Sequence, residues 1–301
     1  MVSRRYTLDE VKRRIIEELK NSGAGLSGVE LADKTGINRM TVTKYLDVLH
    51  AVGLVGKKKI GSVNVWFIEP GAADLEFPVS YVQAQQKLIA AVFAGNEKQA
   101  QRLMTGILTS NVEPVKALTD VIMPAVNTIG ELYSVGRLSR SERSYFLNLL
   151  GELTDLVKLT AQPRQSSLRN AHAIIVAGSA DRGLAAKCAA GALALEGWDT
   201  KYLGSVEHEI DPFFDIDFQR FVSKEWADKS GSLVIGIFTS GEGSLRFLCS
   251  ASRALKGRLK GELRIGIHTT PELLAIGEEN GDFAGKDLES FLNWCARQQA
   301  R

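Results

Sequence analysis

The chain has 301 residues, 45% hydrophobic and 24% charged, which excludes disordered and fibrous classes and leaves room for two or three domains. Its 37 lysines and arginines stand against 35 acids, a net charge of +2, so any affinity for nucleic acid has to come from a local patch. No apolar run approaches the roughly 20 residues of a membrane span, and Met1–Tyr6 leads into an amphipathic helix instead of a signal-peptide core; a cytoplasmic protein with no membrane partner is expected. Cys188, Cys249 and Cys295 are widely spaced inside helical patterns, which points to reduced thiols, not to a disulfide framework or a zinc module.

The first helix is predicted over Thr7–Lys20, with Thr7 as its cap and Glu10 three residues on. Ser27 opens a second helix, Thr35-Gly36-Ile37 is the turn, and Asn38 caps a third whose inward side is Val42, Tyr45, Leu46 and Leu49. The opposite side of that third helix begins with Arg39, Met40, Thr41, Thr43 and Lys44. Polar residues placed there can reach base edges and phosphates while the other side packs. Two β-rich runs, Leu54–Lys59 and Val63–Ile68, follow around Ile60-Gly61-Ser62, and the first carries Lys57, Lys58 and Lys59. This layout resembles a winged-helix DNA-binding domain of the archaeal-regulator type. The resemblance implies double-stranded DNA as partner, contacted by Asn38, Arg39, Thr41, Thr43, Lys44 and the wing lysines; of these Arg39, Thr41 and Thr43 are expected at the base edges, and Lys44 and the wing lysines on phosphates. One module has a small footprint, so a homodimer or tetramer on paired half-sites is expected. His50 is read as a helix-end residue, since no ligand-type partner accompanies it.

Pro70-Gly71 and Pro78 mark a linker. Four helical patterns follow, at about 79–94, 96–109, 112–134 and 139–161, with breaks at Gly95-Asn96, Ser110-Asn111 and Gly136-Arg137. Short connections between helices of this length predict a four-helix antiparallel bundle. The stretch PAVNTIGELYSVGRLSRSE resembles the helical cap of cobalamin-binding proteins, where a Gly-Glu-Leu-aromatic run covers the corrin face. In the related light-sensing repressors the aromatic is Trp and a Glu-His pair follows. Here the aromatic is Tyr133, and Arg143-Ser144 stand where that pair would be.

From His172 onward, strands and helices alternate: Ala173–Ala177, a helix from Leu184 to Leu195, Thr200–Leu203, Ser232–Phe238, Ser244–Leu255, Glu262–His268, Asp282–Ala284 and Leu288–Arg297. This alternation predicts a doubly wound parallel sheet. Ligands of such sheets bind at the carboxyl ends of the strands, which puts the loop of Ala180, Asp181, Arg182 and Gly183 in the site. The order resembles the flavodoxin-like cobalamin-binding domain, whose first loop carries Asp-x-His-x-x-Gly. In register, Ala180 and Arg182 replace the Asp and the cobalt-binding His. A Ser-x-Leu that lines the nucleotide-tail slot appears as Thr239-Ser240-Gly241, and a Gly-Gly after the fourth strand as His268-Thr269-Thr270. A guanidinium has no free lone pair, so a His-ligated cobalamin is disfavoured.

The fold expected is therefore multidomain α and α/β: a winged helix-turn-helix over 1–70, a four-helix cap over 79–162 and a flavodoxin-like domain over 170–301. Three readings of the last part stay open: an anionic ligand held at Arg182, a closed interaction platform with no ligand, or haem with His172, His208, His268 or Cys188 as axial ligand. The candidate ligand-binding residues are Tyr133, Arg143, Asp181, Arg182, Gly183, Thr239, Ser240, His268 and Thr269. The acidic and aromatic stretch Val206–Lys229 is longer than its connection needs. It is expected to lay an aromatic helix face over the sheet edge, as pocket lid or dimer contact, in preference to binding a metal. The function expected is a transcriptional regulator without enzymatic activity. The rivals are a corrinoid methyl-transfer carrier and a ligand-free structural regulator.

Overall fold

The computed structural model describes residues 8–22, 25–51, 55–61, 63–68, 81–109, 113–161, 170–227, 229, 231–259 and 261–298. The Thr7 cap, Leu54, Ser62, the Pro70-Gly71 and Pro78 linker, the Ser110-Asn111 break and the linker over 162–169 lie outside them. The chain divides into two compact units, Met1–Glu113 and Pro114–Arg301. No helix among the described residues is long and apolar enough to cross a membrane.

In the first unit, α1 (Leu8–Asn21), α2 (Gly28–Thr35) and α3 (Arg39–Ala51) enclose a core of Val11, Ile15, Leu31, Val42, Leu46 and Leu49. Local chemistry sets the ends of α2. Ser27 accepts the Glu30 N–H at 3.2 Å while Glu30 accepts the Ser27 N–H at 2.7 Å, and Gly36 closes the helix at φ +66°, a left-handed conformation that costs glycine nothing. Ser27→Ala is expected to lower the stability of this unit by about 1 kcal/mol, as measured by urea unfolding. The wing is a hairpin of β2 (Val55–Ile60) and β3 (Val63–Ile68), and a two-residue strand, β1 (Leu26–Ser27), adds to β3 as a third member. That strand was not expected. Two further helices, α4 (Tyr81–Phe93) and α5 (Glu97–Thr109), pack on one another in the same unit.

The second unit begins with a single turn, α6 (Pro114–Lys116), a π-helical segment over Ala117–Ile122 and α7 (Met123–Ser134), followed by α8 (Arg140–Thr160). The helices assigned together to 79–162 thus fall on both sides of the division. Next come β4 (Ala171–Ala177), α9 (Gly183–Leu195), β5 (Asp199–Ser205), α10 (Pro212–Trp226), β6 (Ser232–Phe238), α11 (Glu242–Arg253), β7 (Glu262–His268), α12 (Leu274–Asn280), β8 (Phe283–Gly285) and α13 (Leu288–Gln298). The strands are all parallel in the order β5-β4-β6-β7-β8, a flavodoxin-like doubly wound sheet. Alanines make α9 slim enough to be buried almost all round, touching both the sheet and α8. Lys187 of α9 donates to Gly151 O at 3.1 Å and to Asp155 at 2.6 Å on α8, fixing α8 over the sheet's first crossover.

The stretch over Val206–Lys229 departs from expectation. α10 is the ordinary crossover between β5 and β6, and its Phe218, Val222 and Trp226 are buried in the same core as Leu245 and Leu248 of α11. It is neither lid nor edge helix, because a parallel pair needs a crossover of about this length. Its carboxylates have structural uses: Asp211 caps the helix through the Phe214 N–H at 2.7 Å, and Asp215 accepts from Gln219 at 2.9 Å.

Candidate nucleic-acid interface and ligand cleft

On α3 the inward positions Val42, Leu46 and Leu49 are at most 1% exposed, while Met40 is 83% exposed and Arg39, Thr43 and Lys44 stand outward beside it. Asn38 Oδ1 accepts the Met40 N–H at 2.9 Å, so the cap predicted from sequence is formed. This leaves Arg39, Thr41, Thr43 and Lys44 on the first turns of a helix whose other side is anchored. His50 does more than end the helix: its Nδ1 lies 2.8 Å from Val55 O and its ring packs edge-on against Trp66 at 5.8 Å, joining α3 to the wing.

The wing lysines do not share one side. In the β2–β3 register Lys57 faces Trp66, Lys58 faces Val65 and Lys59 faces Asn64, so Lys58 points to the opposite side of the ribbon from the other two. Lys57 Nζ sits 4.9 Å from the Trp66 ring centre, a cation–π contact that occupies part of its charge. A duplex against the wing meets Lys58 on one side or Lys57 and Lys59 on the other.

In the second unit the candidate ligand residues are divided between two cavities and a set of ties. A cleft of about 840 Å³ opens between α7–α8 and the β4–α9 loop. Tyr133, Arg143, Asp181 and Gly183 line it, and so do Lys187 and Tyr202, which sequence reasoning missed. The Arg143 guanidinium lies over the Tyr133 ring at 4.6 Å, and its buried Nε has no hydrogen-bond partner. Tyr202 donates to Gly183 O at 2.7 Å, and burial pushes its phenol up to about 12. No histidine or cysteine lines this cleft.

Arg182 and His268 belong instead to a smaller cavity of about 200 Å³, lined also by Asp120 and Asn127 from the cap side and by Lys286 and Asp287 before α13. Thr239, Ser240 and Thr269 line neither cavity. They tie the strand ends together. The Ser240 N–H reaches Ser179 Oγ at 3.0 Å, Ser240 Oγ donates to Asp181 at 2.7 Å, Thr239 Oγ1 and Ser244 Oγ are 2.6 Å apart, and Thr269 donates to Thr239 O at 2.7 Å.

These observations test the group that the flavodoxin-like resemblance implies. The first loop offers a guanidinium where an imidazole would be needed. The positions corresponding to the tail slot are filled by the chain's own hydroxyl bonds and by His268, stacked on Phe238 at 4.7 Å. The residues do not fit a His-ligated cobalamin whose tail enters the sheet. They do not fit haem in the cleft either. His172 sits at the amino end of β4 beside Asp199 at 3.3 Å, His208 is in an exposed turn away from the cleft lining, His268 is 2% exposed in the other cavity, and Cys188 is buried against Thr154 with its thiol pushed up to about 12 by burial. Among the described residues no group of three or more His, Cys, Asp or Glu is placed to hold a metal ion.

Residues 84–153 match the family described as B12 binding domain, and residues 11–63 match the HTH domain family. The chain joins a helix-turn-helix domain to a B12-binding-like domain. Among solved structures it is similar to the monomethylamine corrinoid protein of Methanosarcina barkeri, at 11% identity over 72% of this chain and 99% of that one, with a TM-score of 0.55; the fold is shared. The methanol:cobalamin methyltransferase complex of the same organism aligns at 10% identity over 76% of this chain and 83% of that one, with a TM-score of 0.36, below the level of a shared fold. No curated protein matches the sequence.

Burial lowers the His268 imidazole to about 4, with the Arg182 charge adding to the effect, so the ring is neutral near pH 7. Folding depresses this pKa, so its contribution to stability is fully present above about 6.5 and is lost as pH falls through about 4. Urea unfolding between pH 7 and pH 4 is expected to show a steeper loss in the parent chain than in His268→Gln. Parallel curves would assign the loss to carboxylates alone.

Proposed function

We propose that the protein is a cytoplasmic DNA-binding transcriptional regulator, not an enzyme. Its B12-binding-like module has given up His-ligated cobalamin and now senses another small molecule or holds copies of the chain together. The observation that carries the reading is the capped α3, with Arg39, Thr43 and Lys44 outward and Thr41 half-buried on its first turns over a closed core, in a segment that matches the HTH domain family. In this reading two copies bind paired half-sites, and a ligand in the second unit favours one arrangement of the homodimer or tetramer, which changes the spacing of the recognition helices. Size-exclusion chromatography with light scattering, run beside fluorescence anisotropy on a labelled duplex, tests it. A dimer or tetramer that binds the duplex in a salt-dependent way is expected, and a monomer that binds no duplex at low salt would contradict it.

The rival reading, a corrinoid methyl-transfer carrier, is supported by the same family match over residues 84–153. It needs a cobalt ligand in the first loop, where Arg182 stands. The absorption spectrum of the chain incubated with hydroxocobalamin and desalted separates the two: retained corrin bands favour the carrier, and a bare aromatic peak favours the regulator.

A further inference from the structure

The cavity of about 200 Å³ around Arg182 brings together groups from five elements of the second unit. The π-helical segment contributes Thr119 and Asp120, α7 contributes Asn127, the turn after β4 contributes Arg182, the end of β7 contributes His268, and the β8–α13 loop contributes Lys286 and Asp287. Short π-helical stretches inside α-helices recur at functional sites, where they reposition side chains. Two buried polar atoms here lack hydrogen-bond partners: Nε of Arg182 and Nδ1 of His268, the latter on a side chain only 2% exposed. Arg182 Nε lies 3.5 Å from Asp181 Oδ2, an ion pair too long to count as a hydrogen bond, while the other oxygen of that carboxylate accepts from Ser240. Leaving such groups unpaired is costly, so a ligand that supplies acceptors is favoured.

The acids around the cavity do not satisfy these donors. Asp287 caps α13 by accepting the Ser290 N–H at 2.7 Å and its hydroxyl at 2.9 Å. Asp120 accepts from Thr119 at 2.7 Å, and Glu289 is exposed. Lys286 makes no ion pair among the described residues. Two cations and a neutral imidazole able to donate from Nδ1 therefore face a space of about seven water-sized groups, at roughly 30 Å³ each.

We propose that this cavity is a binding site for a small oxyanion, a carboxylate or phosphate of about the size of malonate, held by Arg182 and Lys286 with His268 donating a hydrogen bond. The proposal rests on the reading of the second unit as a sensor, and it names the class of ligand sensed. Carboxylate and phosphate share the recognition chemistry, and the two probes below tell them apart.

The test is isothermal titration of the full chain at pH 7 with inorganic phosphate and, separately, with malonate, at ionic strength held constant with chloride. Saturable one-to-one binding of at least one probe is expected. Arg182→Gln is expected to weaken it about tenfold to a hundredfold, the effect of losing one charge-assisted hydrogen bond. Lys286→Gln, at an exposed position that should not disturb folding, weakens it in the same direction. Arg220→Gln, on the exposed side of α10, leaves it unchanged. Nitrogen-15 imidazole resonances supply a second readout, in which the His268 signal moves on saturation in the parent chain.

Heats and resonances that are the same in the parent chain, Arg182→Gln and Lys286→Gln would overturn the proposal, as would no saturable binding of either probe. Duplex affinity measured on the same samples keeps the two claims apart. A chain that binds DNA but neither anion remains a regulator and lacks this site, whereas one that binds an anion at Arg182 but no DNA keeps the site and loses the regulatory reading.

Discussion

Phe291→Ala is expected to cost the second unit about 3–5 kcal/mol, read as a drop in the urea midpoint. Its ring is fully buried and meets Phe238 edge-on at 5.1 Å, Phe283 at 6.3 Å and Trp294 at 6.1 Å. The backbone has been trimmed to admit it. A Cβ on Gly236 would stand 2.9 Å from Phe291 Cζ, and one on Gly266 would stand 2.8 Å from Phe291 Cε2 and 2.5 Å from Trp294. Glycines that close to an aromatic ring leave little room for neighbours to collapse into the void, which places the cost toward the upper end of the range. Phe238 also stacks on His268, so the same variant loosens the wall of the Arg182 cavity. Trp198, Trp226 and Trp294 all lie in the second unit and report its unfolding by fluorescence. A loss under about 1 kcal/mol would show that the interior around Phe291 is less closely filled than these contacts imply.

Arg39→Ala is expected to weaken binding to a selected duplex by about 1–3 kcal/mol and to relax the base preference at one position, leaving affinity for random duplex nearly unchanged. Lys58→Ala is expected to behave differently. It weakens all duplexes alike and reduces the salt slope by about one. Lys57→Ala has a smaller effect than Lys58→Ala, because its ammonium already rests on Trp66 at 4.9 Å. Anisotropy titrations at three salt concentrations, on selected and random duplexes, distinguish these patterns. Equal losses for Arg39→Ala and Lys58→Ala on every sequence would mean that α3 only positions the domain and reads no bases.

How much of this was legible in the sequence depended on the distance over which each feature is decided. The Asn38 cap, the helix start at Ser27 and the turn at Gly36 are decided by residues a few positions apart, and they stood in the sequence in readable order; the Glu30 side chain that completes the Ser27 cap was not singled out. The doubly wound sheet was legible for a similar reason, since strands buried on both faces read as continuous apolar runs. The strand at Leu26–Ser27 was not legible: two residues carry no period, and their pairing with Val65 and Trp66 is fixed by the wing. The π-helical segment over Ala117–Ile122 likewise has no signature in residue type.

α10 misled because the length and aromatic content of its stretch suggested a lid or edge helix, whereas its position between β5 and β6 makes it a crossover and decides which aromatics turn inward. Arg182 was identified from the first-loop register, but which cavity it enters depends on residues 119 to 289 converging, and no local pattern records that. The same holds for Ser240 and Thr239. As residues they read as ligand candidates, and the fold uses their hydroxyls to bind strand ends to one another. Lys187 and Tyr202 were missed because one lies inside a helix pattern and the other in a strand, and only their position beside the cleft gives them significance.

Selection from a pool of random duplexes, using the full chain at low salt, tests most directly whether α3 and the wing read DNA. Enrichment of a defined sequence by the parent chain, abolished in the double variant Arg39→Ala, Thr43→Ala, is the expected result. Recovery of no sequence above background by the parent chain, or equal enrichment by the double variant, would contradict it.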